Sequence, residues 1–171
     1  WSRGLGDGYK RQDQLPAHLD GGQRVQLQDS LALQLNVLST IQMCRELVPG
    51  MQERCWGRVI AITSSTVREP SPVLIPSTTA RAGLTGFLKT MATEVAPDGV
   101  TVNSIQPGPH ATDRLAEIYD DLEAVAASVP VRRLGDPDDF GRVVAFLCSD
   151  SARSITGAAL PVEGGSLRAI Q

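Results

Sequence analysis

An apolar run without polar alternation places a buried strand near the centre of this chain. The run is Arg58-Val59-Ile60-Ala61-Ile62, and strands of a parallel sheet that is covered on both faces have this pattern. The stretch from Gly57 to Leu84 continues with a loop stiffened by prolines and a helix whose first turns hold Ser77 and Arg81. Strand, loop and helix in this order are typical of α/β folds.

Apolar residues at three- and four-residue spacing predict helices on both sides of this strand. The pattern indicates a long amphipathic helix over residues 27–53, whose last turns Pro49 and Gly50 would loosen, and a helix from about Ser77 to Pro97. The remaining predicted elements are a strand at 100–105, a weakly helical cover at 112–127, a helix opened by Asp136 and Pro137, and an edge strand at 158–162. The order predicts an α/β fold, a parallel sheet with flanking helices and right-handed connections.

Composition and charge exclude several classes of function. With 171 residues and a net charge of −3, the chain suits one domain and carries no basic footprint for nucleic acid. Its apolar runs are far shorter than the roughly 20 residues that span a membrane. Three cysteines without ligand spacing (Cys44, Cys55 and Cys148) indicate packed, reduced thiols, no metal site and a cytoplasmic protein.

Residues 1–23 form an unassigned tail or a truncated glycine-rich segment, and residues 24–171 form the predicted domain. Gly4 and Gly6 are candidate cofactor-binding residues, because glycines let backbone N–H groups approach a pyrophosphate.

Polar residues follow two strands of the predicted sheet where each strand ends. Ser64 comes directly after the first strand, and a rigid turn from Gln106 to His110 follows the second. In open α/β sheets, ligands bind at the carboxyl ends of the strands. The sequence therefore places a binding site at this edge, with His110 as a solvated loop residue or a replacement acid, the former favoured.

Several segments together resemble the short-chain dehydrogenase/reductase family, especially its members similar to 3-oxoacyl-carrier-protein reductase. They span about residues 27–165 and read QLNVLSTI, GRVIAITSS, ARAGLTGF, VAPDGVTVNSIQPG, RLGDPDDFGRVVAFLCSD and ITGAALPVEGG. The resemblance implies the carboxyl-terminal portion of a Rossmann-like fold, with the amino-terminal half missing or truncated in this sequence. It implies a protein that binds NADP or NAD and interconverts a small carbonyl or alcohol substrate. It also implies a homodimer or homotetramer, with no nucleic-acid or membrane partner.

The resemblance also assigns roles to individual residues of this chain. The Asn that organises a proton-relay water falls on Asn36, and the substrate-orienting Ser falls on Ser64. The loop and the Thr that border the nicotinamide fall on Pro107, Gly108 and Thr112.

The family's catalytic Tyr and Lys fall on Ser77 and Arg81. A serine hydroxyl lacks the reach and acidity of a phenol, since one charged partner shifts a pKa by roughly 1–3 units. An arginine keeps the positive charge but does not exchange a proton at working pH. Ser77 and Arg81 therefore form a predicted binding pair on one helix face.

For the same residues, purely structural roles remain open as alternatives to the catalytic ones. Ser77 follows Pro76 and would serve as a helix N-cap, and Ser64 would bond to its own loop. Asn36 would bridge two helices through water.

Two further functions remain open as well. One is a cofactor-independent enzyme on the same scaffold, similar to halohydrin dehalogenases, which Ser64 and Arg81 match. The other is a catalytically inactive homologue that dimerises through its two long helices, where Gly83 and Gly86 would let a second helix approach closely.

Overall fold

A computed structural model describes residues 30–71 and 74–168. Helix α1 is helical from residue 30 and comprises a π-helical segment, Gln34–Leu38, and an α-helical segment, Ser39–Glu53. The elements that follow α1 are β1 (Gly57–Ile62), α2 (Ile75–Val95), β2 (Val100–Pro107), α3 (Asp113–Ile118), α4 (Leu122–Ser128), α5 (Pro137–Cys148) and β3 (Ala159–Val162). One-turn 3-10 helices occupy Ser65–Val67, Ala96–Asp98 and Asp150–Ala152.

The described strands form one parallel sheet in the order β1-β2-β3. Val59 lies opposite Val102 across the first pair, and Ser104 lies opposite Ala159 across the second. The predicted fold class, a Rossmann-like parallel sheet with flanking helices, is confirmed. The edge position of β3 agrees with Pro161, whose nitrogen cannot donate to a ladder.

Strand β2 is buried along almost its whole length because helices cover both faces of the sheet. Alternate residues of a strand point to opposite faces. Val100 and Val102 pack against α1 and α2, whereas Ile105 packs against Leu147 of α5. The apolar stripe that was predicted for α2 is the buried face of that helix, comprising Ala80, Leu84, Leu88, Met91 and Val95.

Helix α1 confirms the predicted long helix over the described residues, while residues 27–29 lie outside them. The expected loosening at Pro49 is wrong, because the helix continues to Glu53. Buried Cys44 and Val48 hold the last turns against the core although Pro49 contributes no N–H donor.

Helix α2 begins at Ile75, with Leu74 at the N-cap and no side-chain cap bond. The N-cap role proposed for Ser77 is therefore wrong. Pro76 occupies the first turn, where its fixed φ suits a helix and its missing N–H has no intrahelical partner to lose.

The segment predicted as one weakly helical cover forms two short helices, α3 and α4. Asp136 caps α5 as predicted, accepting a hydrogen bond from the N–H of Asp138 at 2.7 Å. The expectation of packed thiols holds for Cys44, whereas Cys55 and Cys148 are exposed.

Candidate functional site

Ser64 lies just beyond the carboxyl end of β1 and caps the 3-10 turn Ser65–Val67. Its Oγ accepts a hydrogen bond from the backbone N–H of Thr66 at 3.1 Å and another from the Thr66 hydroxyl at 2.9 Å. The loop-bonding role expected of this serine is present. Because Ser64 is the acceptor in both of these contacts, its own hydroxyl hydrogen has no acceptor among residues 30–71 and 74–168 and is available to a ligand.

Ser77 and Arg81 contact each other on consecutive turns of α2, where Nη1 of Arg81 donates to Oγ of Ser77. The spacing of four residues puts both side chains on one helix face, as the sequence predicted. Nε of Arg81 is buried and has no hydrogen-bond partner among the described residues, where Arg81 also makes no ion pair. The guanidinium thus keeps an unused donor and an uncompensated charge.

Asn36 lies in the π-helical segment of α1, and its Nδ2 donates to the carbonyl of Ala32 at 2.9 Å. A π-helical turn shifts backbone hydrogen bonds by one residue, and such turns are frequent at functional sites. Asn36 bonds within its own helix, so the structure shows a local partner for the side chain. The irregular turn here was not predicted from the sequence.

The loop after the carboxyl end of β2 contains the predicted nicotinamide-bordering residues Pro107, Gly108 and Thr112. Pro107 is the last residue of β2, and the N–H of Gly108 donates to the carbonyl of Val162 at 3.0 Å. A Cβ at Gly108 would lie 2.6 Å from Cβ of Glu163, so only glycine allows the segments of Gly108 and Glu163 to approach this closely. Thr112 is exposed and caps α3, with Oγ1 accepting from the N–H of Leu115 at 3.4 Å.

His110 is half-buried, so the favoured expectation of a solvated loop histidine is wrong. Its Nδ1 lies 2.9 Å from the carbonyl oxygen of Gly108, and its ring meets Phe140 edge-on with centroids 5.1 Å apart. A backbone bridge joins His110 to Gly135. Sequence analysis missed this packing because Phe140 belongs to α5, some thirty residues further along the chain.

The three segments that carry the predicted catalytic residues meet at α2. The π-helical segment with Asn36 and the 3-10 turn after Ser64 both contact this helix, which itself carries Ser77 and Arg81. Because β1 and β2 are parallel, their carboxyl ends lie at the same end of the sheet, and Ser64 and Pro107 both lie there. Gly4 and Gly6 lie outside the described residues.

The described residues contain neither a group of metal-ligating side chains nor a helix that could cross a membrane. Within 30–71 and 74–168, no three His, Cys, Asp or Glu side chains lie close enough to hold a metal ion. In that same part of the chain, none of the helices has the length and apolar character that crossing a bilayer requires.

The known proteins similar to this chain include several that are named as reductases. The family model described as enoyl-(acyl carrier protein) reductase matches residues 25–166. Nodulation protein G of Azospirillum brasilense is 40% identical over 131 residues, which are 76% of this chain and 53% of that protein. The 3-oxoacyl-[acyl-carrier-protein] reductase FabG of Haemophilus influenzae is 38% identical over 134 residues, 78% of this chain and 55% of that protein. The chain spans about half the length of these relatives.

Solved structures give the same result. YwfH, an NADPH-dependent reductase involved in bacilysin biosynthesis, superposes with a TM-score of 0.80 at 26% identity, covering 83% of this chain and 59% of YwfH. A structure named as a dehalogenation enzyme has a TM-score of 0.77 at 28% identity, covering 82% of this chain and 59% of that one. The parallel sheet, its strand-end residues and these matches together show that the chain belongs to the short-chain dehydrogenase/reductase family.

Proposed function

We propose that this chain is the substrate-binding portion of an NAD(P)-dependent oxidoreductase that interconverts a small carbonyl compound and its alcohol. Family membership and the reductase names of its relatives support this activity. The observation that carries the proposal is the free hydroxyl hydrogen of Ser64 at a strand end whose next turn contacts the helix of Ser77 and Arg81.

The cofactor proposed is NADP or NAD, which supplies the hydride when bound. The Pro107-Gly108 turn and the exposed hydroxyl of Thr112 form a polar loop at the strand ends, which fits the nicotinamide side of such a group. The pyrophosphate side is assigned to Gly4 and Gly6. NADPH is the first cofactor to test, because YwfH is named as an NADPH-dependent reductase.

In the proposed reaction, Ser64 donates a hydrogen bond to the substrate oxygen. Arg81 stabilises the negative charge that develops on that oxygen, since a preorganised cation in a site shielded from water contributes strongly. Ser77 holds the guanidinium in place through the contact with Nη1. Asn36 fixes the irregular turn of α1 that contacts α2, and the proton comes from water because neither Ser77 nor Arg81 releases one at neutral pH.

A reductase assay tests this proposal. Oxidation of NADPH or NADH is followed by its absorbance with acetoacetyl-CoA as the first substrate, since a relative is named acetoacetyl-CoA reductase. We expect turnover that falls by about 10²-fold in Arg81→Gln and Ser64→Ala, the order of magnitude for loss of one oxyanion donor. The control is Arg142→Gln, an exposed arginine paired with Asp139. Absence of cofactor binding by calorimetry at millimolar NADPH and NADH would contradict the proposal.

A cofactor-independent dehalogenase is the second candidate. The unpaired guanidinium of Arg81 suits a halide, and one similar structure is named as a dehalogenation enzyme. Halide release from a halohydrin that needs no nicotinamide cofactor and is lost in Arg81→Gln would favour it. If Arg81→Gln leaves both activities unchanged and alters only the oligomeric state, the result would favour the inactive dimerising homologue.

The proposed assembly is a homodimer or homotetramer that pairs through α1 and α2. A Cβ at Gly83 or Gly86 would meet nothing within 4 Å in the part of the chain that the structure describes, so these glycines leave room on the outer face of α2. Light scattering after gel filtration tests this assembly, and Gly86→Arg should shift it toward monomer.

A further inference from the structure

A cavity of about 290 Å³ lies between α2, β2 and the segment 157–159 that leads into β3. We call it the α2–β3 cavity. Leu88 of α2 and Val102 of β2 give it apolar walls, and polar side chains complete the lining. None of the described residues proposed above for catalysis or cofactor binding lines this cavity. It is therefore a separate concave site, apolar with a few polar groups, as small-molecule sites are.

Two cationic side chains, Arg68 and Lys89, line the α2–β3 cavity from different parts of the chain. Nζ of Lys89 donates to the carbonyl of Gly157 at 3.1 Å, and Nη2 of Arg68 donates to the carbonyl of Ala159 at 2.8 Å. These two carbonyls are two residues apart, at most about 7 Å of extended chain. Both cations are thus held beside one short segment, and their charges act on the same small volume.

No carboxylate balances these two charges among residues 30–71 and 74–168. The ion pairs there involve Arg58, Arg114 and Arg142, and no Asp or Glu lines the α2–β3 cavity. Arg68 uses Nε toward Gln106 and Nη2 toward Ala159, which leaves Nη1 without a partner in this part of the chain. Lys89 uses one of its several N–H donors. The cavity therefore offers unused donors that carry positive charge.

Ser104 adds an unused hydroxyl at the buried end of the α2–β3 cavity. It lies two residues after Val102 on β2, so both side chains point to the face of the sheet that α2 covers. Ser104 is 2% exposed, and its hydroxyl has no hydrogen-bond partner among the described residues. A polar group buried without a partner costs free energy, which a bound acceptor would recover.

The donor set fits a phosphate group. Two positive charges favour a dianion, whereas a single carboxylate would leave one charge unbalanced. Arginine and lysine are the side chains that bind phosphate oxygens through charge-assisted hydrogen bonds. A phosphate group fills the volume of only a few water molecules, each about 30 Å³. The remaining space has room for a small organic group against Leu88 and Val102.

We propose that the α2–β3 cavity binds a phosphate group, either as inorganic phosphate or as a small phosphate monoester. Arg68 and Lys89 hold the phosphate oxygens at the exposed side, and Ser104 donates its hydroxyl from the buried side. The ligand is bound and not converted, so the site is distinct from the proposed active site. Its occupation would link α2 to the segment that follows the 3-10 turn Ser65–Val67, because Arg68 comes directly after that turn.

Titration calorimetry of the full chain with inorganic phosphate tests the proposal, with ionic strength kept constant by sodium chloride. We expect one phosphate per chain, and a rise in melting temperature of about 3 °C at about ten times the dissociation constant. Arg68→Gln and Lys89→Gln should each weaken binding by at least about 10-fold, because each removes a charge-assisted hydrogen bond. Ser104→Ala should weaken it by about 5-fold with both cations still present.

A second titration with glycerol 3-phosphate distinguishes the two sources of the phosphate group. Tighter binding than that of inorganic phosphate would support the site and identify a monoester as its ligand. Equal or weaker binding, beside saturable binding of inorganic phosphate, would support the site and identify the free ion.

The matched control is Arg142→Gln, which removes the same charge from an exposed arginine that pairs with Asp139. It should leave the phosphate affinity unchanged. Absence of saturable phosphate binding, or equal weakening by Arg142→Gln, would overturn the proposal. If Arg68→Gln fails to fold because it also loses its contacts with Gln106 and Ala159, Lys89→Gln and Ser104→Ala decide the outcome. These readouts measure binding alone, so a failure here is distinguishable from a failure of the proposed activity.

Discussion

At the scale of single residues, the proposed site has a guanidinium and a hydroxyl, Arg81 and Ser77, where the family resemblance predicts an amine and a phenol. The contact between Arg81 and Ser77 gives the pair a fixed geometry on α2. Neither group supplies a proton at neutral pH, because an arginine stays charged and a serine hydroxyl stays protonated. The residues at this point therefore favour binding and charge stabilisation over general acid catalysis.

Restoring a phenol and an amine should increase reductase activity. In Ser77→Tyr/Arg81→Lys, we expect carbonyl reduction with NADPH to rise by about 10²-fold, since a positioned general acid contributes typically 10²–10⁴-fold. Arg81→Lys alone is the control and should show no increase, because it adds no phenol. An unchanged rate, with intact folding by circular dichroism, would contradict a limiting proton transfer at this position.

The cysteines differ in reactivity because burial differs. Burial raises the pKa of the Cys44 thiol above its ordinary value of 9.0. A thiol-specific chromogenic reagent at neutral pH should therefore label exposed Cys55 and Cys148 first and Cys44 after unfolding. The folded state keeps this thiol protonated, whereas in the unfolded state it ionises near pH 9. The stabilisation of the folded state by the protonated thiol is therefore fully present below about pH 9, and the free energy of unfolding decreases as the pH rises above that value. Labelling of Cys44 at the rate of Cys148 in the native protein would contradict this.

At the scale of elements, local capping and turn chemistry fix where the segments begin and end. Asp136 starts α5, and Gly99 ends the turn after α2 with a φ of +71°. Both features follow from residue types with a specific backbone role.

Removing the α5 cap should lower stability by a measurable amount. Asp136→Ala loses the hydrogen bond to the N–H of Asp138, and we expect a decrease in the free energy of unfolding of about 1 kcal/mol. Asp136→Asn is the matched control, since asparagine caps about equally well. Equal urea midpoints for the two variants would contradict the role of the cap.

Gly99 should tolerate no side chain. A Cβ there would lie 2.5 Å from the carbonyl oxygen of Cys55, and the left-handed backbone adds roughly 1–2 kcal/mol for any L-residue other than glycine. Gly99→Ala should therefore lower the urea midpoint clearly. Gly50→Ala, in α1, should be neutral or raise stability by about 0.5–1 kcal/mol, because the added Cβ would lie 3.7 Å from Nη1 of Arg54, an ordinary van der Waals contact. The reverse ranking would contradict the turn geometry.

At the scale of the whole molecule, helices cover both faces of the described sheet, and an apolar groove lies between β1 and α1. Leu147 of α5 packs on Ile105 of β2, whereas Leu47 and Ile62 are exposed at the groove. Large apolar side chains are thus exposed together along this groove.

The open groove should bind a hydrophobic dye. We expect strong fluorescence of anilinonaphthalene sulfonate with the native chain and a large decrease in Leu47→Lys/Ile62→Lys, because charges at these exposed positions interrupt the apolar surface. The melting temperature should stay within a few degrees, since neither side chain is buried. Leu160→Lys is the control. An unchanged dye signal in the double variant would mean that the exposed apolar surface lies elsewhere.

The sequence by itself determined the order of strands and helices, the parallel sheet and the pairing of Ser77 with Arg81. These depend on local periodicity, on capping residues such as Asp136, and on the four-residue spacing of a helix face. Tertiary structure alone decided the π-helical turn at Asn36, the packing of His110 on Phe140 and the exposure of Cys55 and Cys148. The physical reason is that burial and irregular turns depend on which distant segments meet, and no short stretch of sequence carries that information.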